Sequence, residues 1–284
     1  MITLAKLFEV GMNTNHRDQF LKRARDSYSV MGILNVTPDS FSDGGWFDDL
    51  STAVAQADLM ISEGADILDI GGESTRPGST KISAEDEQAR VIAPLTAITS
   101  KHDIPISIDT YKADTARAAC AAGASIINDV WGLQKDPDMA ATVADTGAGL
   151  ILMHNSTERD MPTDILSDMW AFFDHSLSLA QAAGVPEDHI ILDPGIGFGK
   201  TLEHNLTIFE NLTQMQRYGL PYLIGLSRKR FIGAILEKEV DDRLIGTVAS
   251  NLYCFAKGAS VFRVHDVGEN ADALKLWSAI EGSQ

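Results

Sequence analysis

Acidic, amide and cationic residues recur in this chain where short apolar runs end. The endings are Asn35, Gly71-Gly-Glu-Ser-Thr-Arg76, Asp109-Thr110, Asn128-Asp129, His154-Asn155, Asp193-Pro194, Ser227-Arg-Lys229 and Arg263-Val-His265. Two chemistries are present. Asp109, Asn128 and Asp193 offer carboxylates and an amide, which suit a flat heterocycle bearing N–H donors and a carbonyl. Lys229, Arg263 and His265, with Arg76, form a cationic set suited to phosphate or pyrophosphate. Asn35 and Asp39 add hard oxygen atoms that could help hold Mg²⁺ already carried by a pyrophosphate. A single buried Asp or Asn is more often a hydrogen-bonded structural group. What points to function is that all of them fall at the same place relative to the runs.

Those runs span residues 30–36, 66–70, 105–109, 125–130, 149–153, 190–193, 222–226 and 260–264. Their nearly continuous apolar character is that of parallel strands buried on both faces. Between them lie stretches of helical period, such as Leu50, Val54, Ala57 and Ile61, or Leu202, Leu206, Phe209 and Leu212. Gly64, Gly123, Gly147, Gly184, Gly219 and Gly258 each stand near the end of a helical stretch, just before the next apolar run, the usual place of a left-handed C-cap. Eight such units predict an α/β fold, a (β/α)8 TIM barrel over residues 30–284, in one domain. Residues 1–29 form an N-terminal extension, expected as a strand pair or a helix on the bottom of the barrel. An open doubly wound sheet is the alternative, disfavoured because no unit breaks the alternation. In a barrel the C-terminal strand ends share one rim, so the polar endings converge there.

Composition narrows the class. With 284 residues the chain can bury a core without staples, and its two cysteines, Cys120 and Cys254, make no disulfide framework. A net charge of −17 argues against a nucleic-acid partner, while a local cationic cluster can still receive a small anion. The first 20 residues lack the apolar stretch of an export signal, and no run is long enough to span a membrane. A cytoplasmic protein is expected. The segment Pro194-Gly-Ile-Gly-Phe-Gly-Lys-Thr201 nearly matches a phosphate-binding loop, but Pro194 stands where the first glycine is needed. No G-x-S-x-G nucleophile elbow is present. Two post-strand connections, 36–45 and 71–79, are long and rich in small residues, as in loops that close over a substrate.

Met31-Gly-Ile-Leu-Asn-Val-Thr-Pro-Asp-Ser-Phe-Ser-Asp-Gly-Gly45 and Asp69-Ile-Gly-Gly-Glu-Ser-Thr-Arg-Pro-Gly78 resemble the two signature segments of the dihydropteroate synthases. The resemblance continues through Ser107-Ile-Asp-Thr110, Ile127-Asn-Asp-Val130, Asp193-Pro-Gly-Ile-Gly-Phe-Gly-Lys200, Ser227-Arg-Lys229 and Arg263-Val-His-Asp-Val267. It implies a TIM barrel that condenses a dihydropterin pyrophosphate with 4-aminobenzoate, Mg²⁺ accompanying the pyrophosphate. It also implies a homodimer built through helices late in the chain. By this resemblance Asp109, Asn128, Asp193 and Lys229 hold the pterin. Asn35, Arg263 and His265, with Thr75, hold pyrophosphate and metal. Phe41, Arg76, Pro77, Phe198 and Lys229 shape the aminobenzoate site, and Lys229, Arg263 and His265 are the catalytic candidates. One position departs: the family often has serine after Ser227-Arg-Lys229, and this chain has Arg230. Two rivals remain at this point, a pterin-binding methyltransferase barrel and a non-catalytic pterin-binding protein.

Overall fold

A computed structural model describes residues 4–37, 46–74, 80–160 and 162–282. The order is α1 (Leu4–Asp26), β1 (Ser29–Asn35), α2 (Trp46–Ser62), β2 (Ile67–Gly71), α3 (Ala84–Lys101), β3 (Ile106–Asp109), α4 (Ala113–Ala121), β4 (Ile126–Asp129) and α5 (Met139–Thr146). It continues with β5 (Gly149–Met153), α6 (Ile165–Ala183), β6 (Ile190–Asp193), α7 (Leu202–Glu210), β7 (Leu223–Ile224), α8 (Arg230–Leu236), α9 (Leu244–Ala256), β8 (Val261–Val264) and α10 (Val267–Glu281). All ladders are parallel, in the order β6-β5-β4-β3-β2-β1-β8-β7. A parallel bridge between Leu192 and Tyr222 joins β6 to the β7 side, so the eight strands close into the barrel that the sequence predicts.

The predicted strand 222–226 is the least regular. Only Leu223 and Ile224 pair as a ladder. Pro221 has no N–H to donate at its entry, and Gly225 follows at its exit, so the run is bounded on both sides by residues poor in strand propensity. The connection after β7 also holds two helices, α8 and α9, where the sequence pattern suggests one unit. The six glycines read as helix stops all have positive φ.

Residues 1–29 contribute α1, a helix rather than a strand pair. Its Phe20, Leu21 and Ala24 are buried in one cluster with Met31, Ile67, Ile126, Ile151, Ile191, Leu223 and Val261. These are inward residues from seven of the eight strands, so α1 closes the lower end of the barrel with an apolar plug. β3 supplies Ser107 at that level, beside Asp69 and Ile126 in the register. The outward residues, such as Leu68, Ile70, Ile106, Ile108, Ile127, Leu150 and Leu152, pack instead under the surrounding helices. Two kinds of apolar residue thus alternate along the strands other than β3, which is why the runs read as nearly continuous.

Candidate active site

Side chains alternate across a strand, so the residue two places beyond each plug residue also points inward. Above Ile67 stands Asp69, above Ile126 Asn128, above Ile191 Asp193, above Leu223 Gly225 and above Val261 Arg263. The next inward level brings Asn35, Gly71, Asp109 and His265, with Asn35 paired to Gly71, Gly71 to Asp109 and Asp109 to Asn128 in the register. The apolar floor therefore carries a polar layer directly on top of it. Period two alone brings Asp109, Asn128, Asp193 and Arg263 into one cup.

Arg263 is the hub of that layer. Its Nε donates to Asp69 Oδ2 at 2.5 Å and its Nη2 to Asp109 Oδ2 at 2.7 Å. Asn128 Nδ2 donates to the same Asp69 oxygen at 3.1 Å. Burial opposes the guanidinium charge, but Asp69 and Asp109 outweigh it and drive the pKa up. The resemblance assigns Arg263 to the pyrophosphate, and the structure engages it with two buried carboxylates as well. Burial pushes Asp109 up to about 7, with Asp69, Glu87 and Asp129 adding to the rise and Arg263 opposing it.

Each carboxylate is only half satisfied. Asp69 Oδ1, Asp109 Oδ1 and Ser107 Oγ are buried with no hydrogen-bond partner among the described residues. An orphaned buried acceptor costs about 1–3 kcal/mol, more when charged, so three facing one cup mark a place built for a donor-rich ligand.

On the opposite wall, Asp193 Oδ1 accepts from the Gly195 N–H at 2.7 Å, and burial raises its pKa while Lys229 lowers it. Lys229 donates to the Ile196 carbonyl, and its Nζ lies 4.7 Å from the centre of the Phe198 ring. Burial brings Lys229 down to about 8, with Asp193 opposing that shift. Inward-facing Gly225 leaves space here: a Cβ on it would sit 4.0 Å from Lys229 Nζ and 3.9 Å from Arg263 Cβ.

At the outer rim, Asn35 and His265 line a cleft of about 430 Å³ together with Arg228 and Asp266. His265 is fixed through Ser227, whose Oγ lies 2.9 Å from His265 Nδ1 and accepts the His265 backbone N–H at 3.1 Å. Arg228, at φ 56, holds Asp266 through Nε at 3.0 Å and Nη2 at 2.5 Å, fixing the chain where α10 begins.

Other polar strand endings point outward and serve the scaffold. Asp129 accepts the N–H groups of Trp131 at 2.9 Å and Leu133 at 2.7 Å. Thr110 donates to buried Glu87 at 2.9 Å. His154 is fully buried, its ring edge-on to Phe172, and its Nε2 lies 2.9 Å from Asp168 Oδ2. Ser156 Oγ is 3.5 Å from that same nitrogen, and Nδ1 has no partner among the described residues, so these residues form no relay through both ring nitrogens. Phe41, Thr75, Arg76 and Pro77, and with them Asp39, lie outside the described residues. Arg230 is exposed at the first turn of α8.

Asp69 is the site residue that sequence reasoning passed over, because it lies inside the apolar run 66–70 rather than at its end. The usable signal was a carboxylate two residues before Gly71 in a strand buried on both faces, where Asp is rarely found without a partner.

A floor of apolar residues under donor-hungry carboxylates, with a lysine opposite, invites comparison with known proteins. The profile described as pterin binding enzyme matches residues 31–265. The chain belongs to the pterin-binding enzyme family. It is similar to a dihydropteroate synthase of Clostridium beijerinckii, 49% identical over 255 residues that cover 88% of this chain and 93% of that one. Among solved structures it resembles a Clostridium difficile dihydropteroate synthase determined in the presence of pteroic acid. That likeness has a TM-score of 0.87 and 44% identity, covering 90% of this chain and 97% of the other. It also resembles a Xanthomonas albilineans dihydropteroate synthase with 4-aminobenzoic acid. There the TM-score is 0.86 and the identity 42%, covering 90% and 94%.

Proposed function

We infer that this chain is a dihydropteroate synthase, a transferase that joins (7,8-dihydropterin-6-yl)methyl diphosphate to 4-aminobenzoate. The C–O bond to diphosphate breaks with its electron pair leaving on diphosphate, and the aniline nitrogen bonds to the methylene and gives up one proton. The observation that carries this reading is the set of buried, unpartnered oxygens on Asp69, Ser107 and Asp109 beneath the barrel mouth. A pterin edge presents an amino group and ring N–H donors that such oxygens accept, and Asn128 and Asp193 border the same cup. Lys229, opposite Asp193, suits a pterin acceptor.

No covalent nucleophile is required, because a pterin methylene can carry positive charge by resonance as the leaving group departs. Carboxylates beside the ring favour that charge, and Arg263 and His265 favour the anion that leaves. Asn35, which lines the rim cleft with His265, offers one neutral oxygen, and the described residues hold no cluster of three or more His, Cys, Asp or Glu side chains that could hold a metal. That donor set suits Mg²⁺ brought in by the diphosphate, which keeps much of its own hydration. When bound, the ion neutralises charge on the leaving diphosphate. Phe198, its ring 4.7 Å from Lys229 Nζ, forms the wall proposed for aminobenzoate; the resemblance adds Phe41, Arg76 and Pro77 to that wall and Thr75 to the diphosphate side.

A homodimer and a cytoplasmic location complete the reading. Large exposed apolar residues concentrate on the late helices, with Ile245 82% exposed, Leu276 63% and Ile280 73%. Such surface commonly marks a protein interface. Light scattering giving twice the mass of one chain, 30.7 kDa, supports the dimer, and a monomer contradicts it. No described helix is long and apolar enough to cross a membrane.

The direct test mixes the purified chain, both substrates and Mg²⁺, and identifies product by mass. Dihydropteroate and diphosphate in equal amounts support the reading. In a parallel mixture with a methylated reduced folate and a corrinoid acceptor, methyl transfer in the absence of condensation favours the methyltransferase alternative, and pterin binding without turnover in either mixture favours a binding protein.

A further inference from the structure

Lys200 ends the glycine-rich turn that resembles a phosphate-binding loop, and its ammonium is committed elsewhere. Lysine carries three N–H donors. Here Nζ donates to three main-chain carbonyls, Gly195 at 2.8 Å and His154 and Phe198 at 3.2 Å each. Two of these acceptors lie in its own turn and the third in the loop after β5. Donors and acceptors match in number, so the ammonium has no N–H left for a phosphate.

The two loops meet backbone to backbone at the same place. His154 N–H donates to the Asp193 carbonyl at 2.9 Å, and Ser156 N–H to the Phe198 carbonyl at 3.4 Å. Gly195 and Gly199 both adopt left-handed φ, +63° and +64°. A Cβ at the first would lie 1.9 Å from the His154 oxygen, and at the second 2.3 Å from the Ser156 carbonyl carbon. Only glycine fits either position. This contact leaves carbonyls of both loops converging on one point, which the ammonium fills.

The backbone fixed in this way carries both of the contacts made by Lys229. Ile196 supplies the carbonyl that accepts from Lys229, and Phe198 supplies the ring lying 4.7 Å from its Nζ. We propose that Lys200 is a positioning residue for the aminobenzoate site, holding the 195–199 turn so that Phe198 and Lys229 keep their mutual placement. The proposal rests on the reading that these two residues shape that site. Asp69, Ser107, Asp109 and Asn128 stand on other strands. Asp193, whose Oδ1 accepts the Gly195 N–H at 2.7 Å, and Lys229 border the pterin as well, so pterin binding should fall too but by less than aminobenzoate binding.

The test compares wild type with Lys200→Met, which keeps the apolar stem and removes all three donors, and with Lys200→Gln, which keeps two. Aminobenzoate KM, kcat, the calorimetric Kd for 6-hydroxymethylpterin and the thermal midpoint are measured for each. The expected result for Lys200→Met is an aminobenzoate KM raised at least about tenfold, with pterin Kd within about threefold of wild type. Lys200→Gln should fall between the two, and it decides alone if the Met variant does not fold. An aminobenzoate KM within about twofold of wild type in a folded variant, even with a lowered thermal midpoint, would overturn the proposal, as would equal losses for both ligands. A wild-type chain inactive in the condensation overturns the functional reading and this proposal with it. An active wild type with an unchanged variant overturns this proposal alone.

Discussion

Replacing Asp109 by Asn separates what the site costs the fold from what it gives the ligand. Asp109 is 7% exposed and its Oδ2 accepts from Arg263 Nη2 at 2.7 Å. Burial, seconded by Asp69, Glu87 and Asp129, raises its pKa from 3.8 to about 7 despite Arg263. The folded state then holds this proton more tightly than the unfolded chain does. Ionisation therefore works against folding: stability is unaffected below about pH 4, declines as pH rises to about 7, and is level beyond. A shift of about three units at about 1.4 kcal/mol each sets the penalty on the order of 4 kcal/mol above neutrality. Asn resembles the protonated acid and keeps an oxygen for Arg263, so Asp109→Asn escapes the penalty. Its stability should match wild type near pH 4 and exceed it by roughly 2–4 kcal/mol near pH 8. The same change removes the charge that a pterin N–H would meet, and affinity for 6-hydroxymethylpterin should drop at least about tenfold. Urea unfolding at about pH 5, 6, 7 and 8, with calorimetry on the same samples, reads both effects. A stability difference that is constant with pH, or that shrinks as pH rises, would refute the reasoning.

Asp193→Ala should weaken pterin binding by at least about tenfold with the fold unchanged, because it removes the acceptor opposite Lys229; wild-type affinity by calorimetry would contradict that role. Phe20→Ala, at a residue 2% exposed in the plug beneath the barrel, should cost about 3–5 kcal/mol in urea unfolding without changing the aminobenzoate KM, and a loss under about 1 kcal/mol would show that α1 is not part of the core. Arg230→Ser should change neither the aminobenzoate KM nor sulfonamide inhibition by more than about threefold, since the Arg230 side chain is exposed; a selective tenfold loss for aminobenzoate would instead place the guanidinium on its carboxylate.

The barrel could be read from the chain because each strand is short, apolar and followed by a helical stretch, most of which stop at a glycine, and because eight units leave one common architecture. The site was legible where polar residues end the runs, as at Asp109, Asn128 and Asp193. Which of two adjacent polar residues faces the cup was not legible. In Asn128-Asp129 and Asp109-Thr110 the inward member meets the site, and the outward member caps a loop or bonds to Glu87. With both strand faces buried, hydrophobicity carries no alternation to set the phase. The phase becomes visible only when the plug under α1 separates Ile67, Ile126 and Ile191 from their outward neighbours. Asp69 was hidden for the same reason, being inside a run rather than after it. Lys200 was hidden differently: its segment fails the phosphate-loop pattern at Pro194 and so carried no role, and its three carbonyl partners exist only once the loops after β5 and β6 touch.

Pterin recognition is assigned to the inward layer of the strands. Calorimetric titration of 6-hydroxymethylpterin into wild type, Asn128→Ala and Ile127→Val tests that directly, since residues 127 and 128 are adjacent on β4 and face opposite ways. Asn128→Ala should lose at least about tenfold in affinity, and Ile127→Val should stay within about twofold of wild type. Equal affinities for wild type and Asn128→Ala, or a larger loss in Ile127→Val, would contradict it.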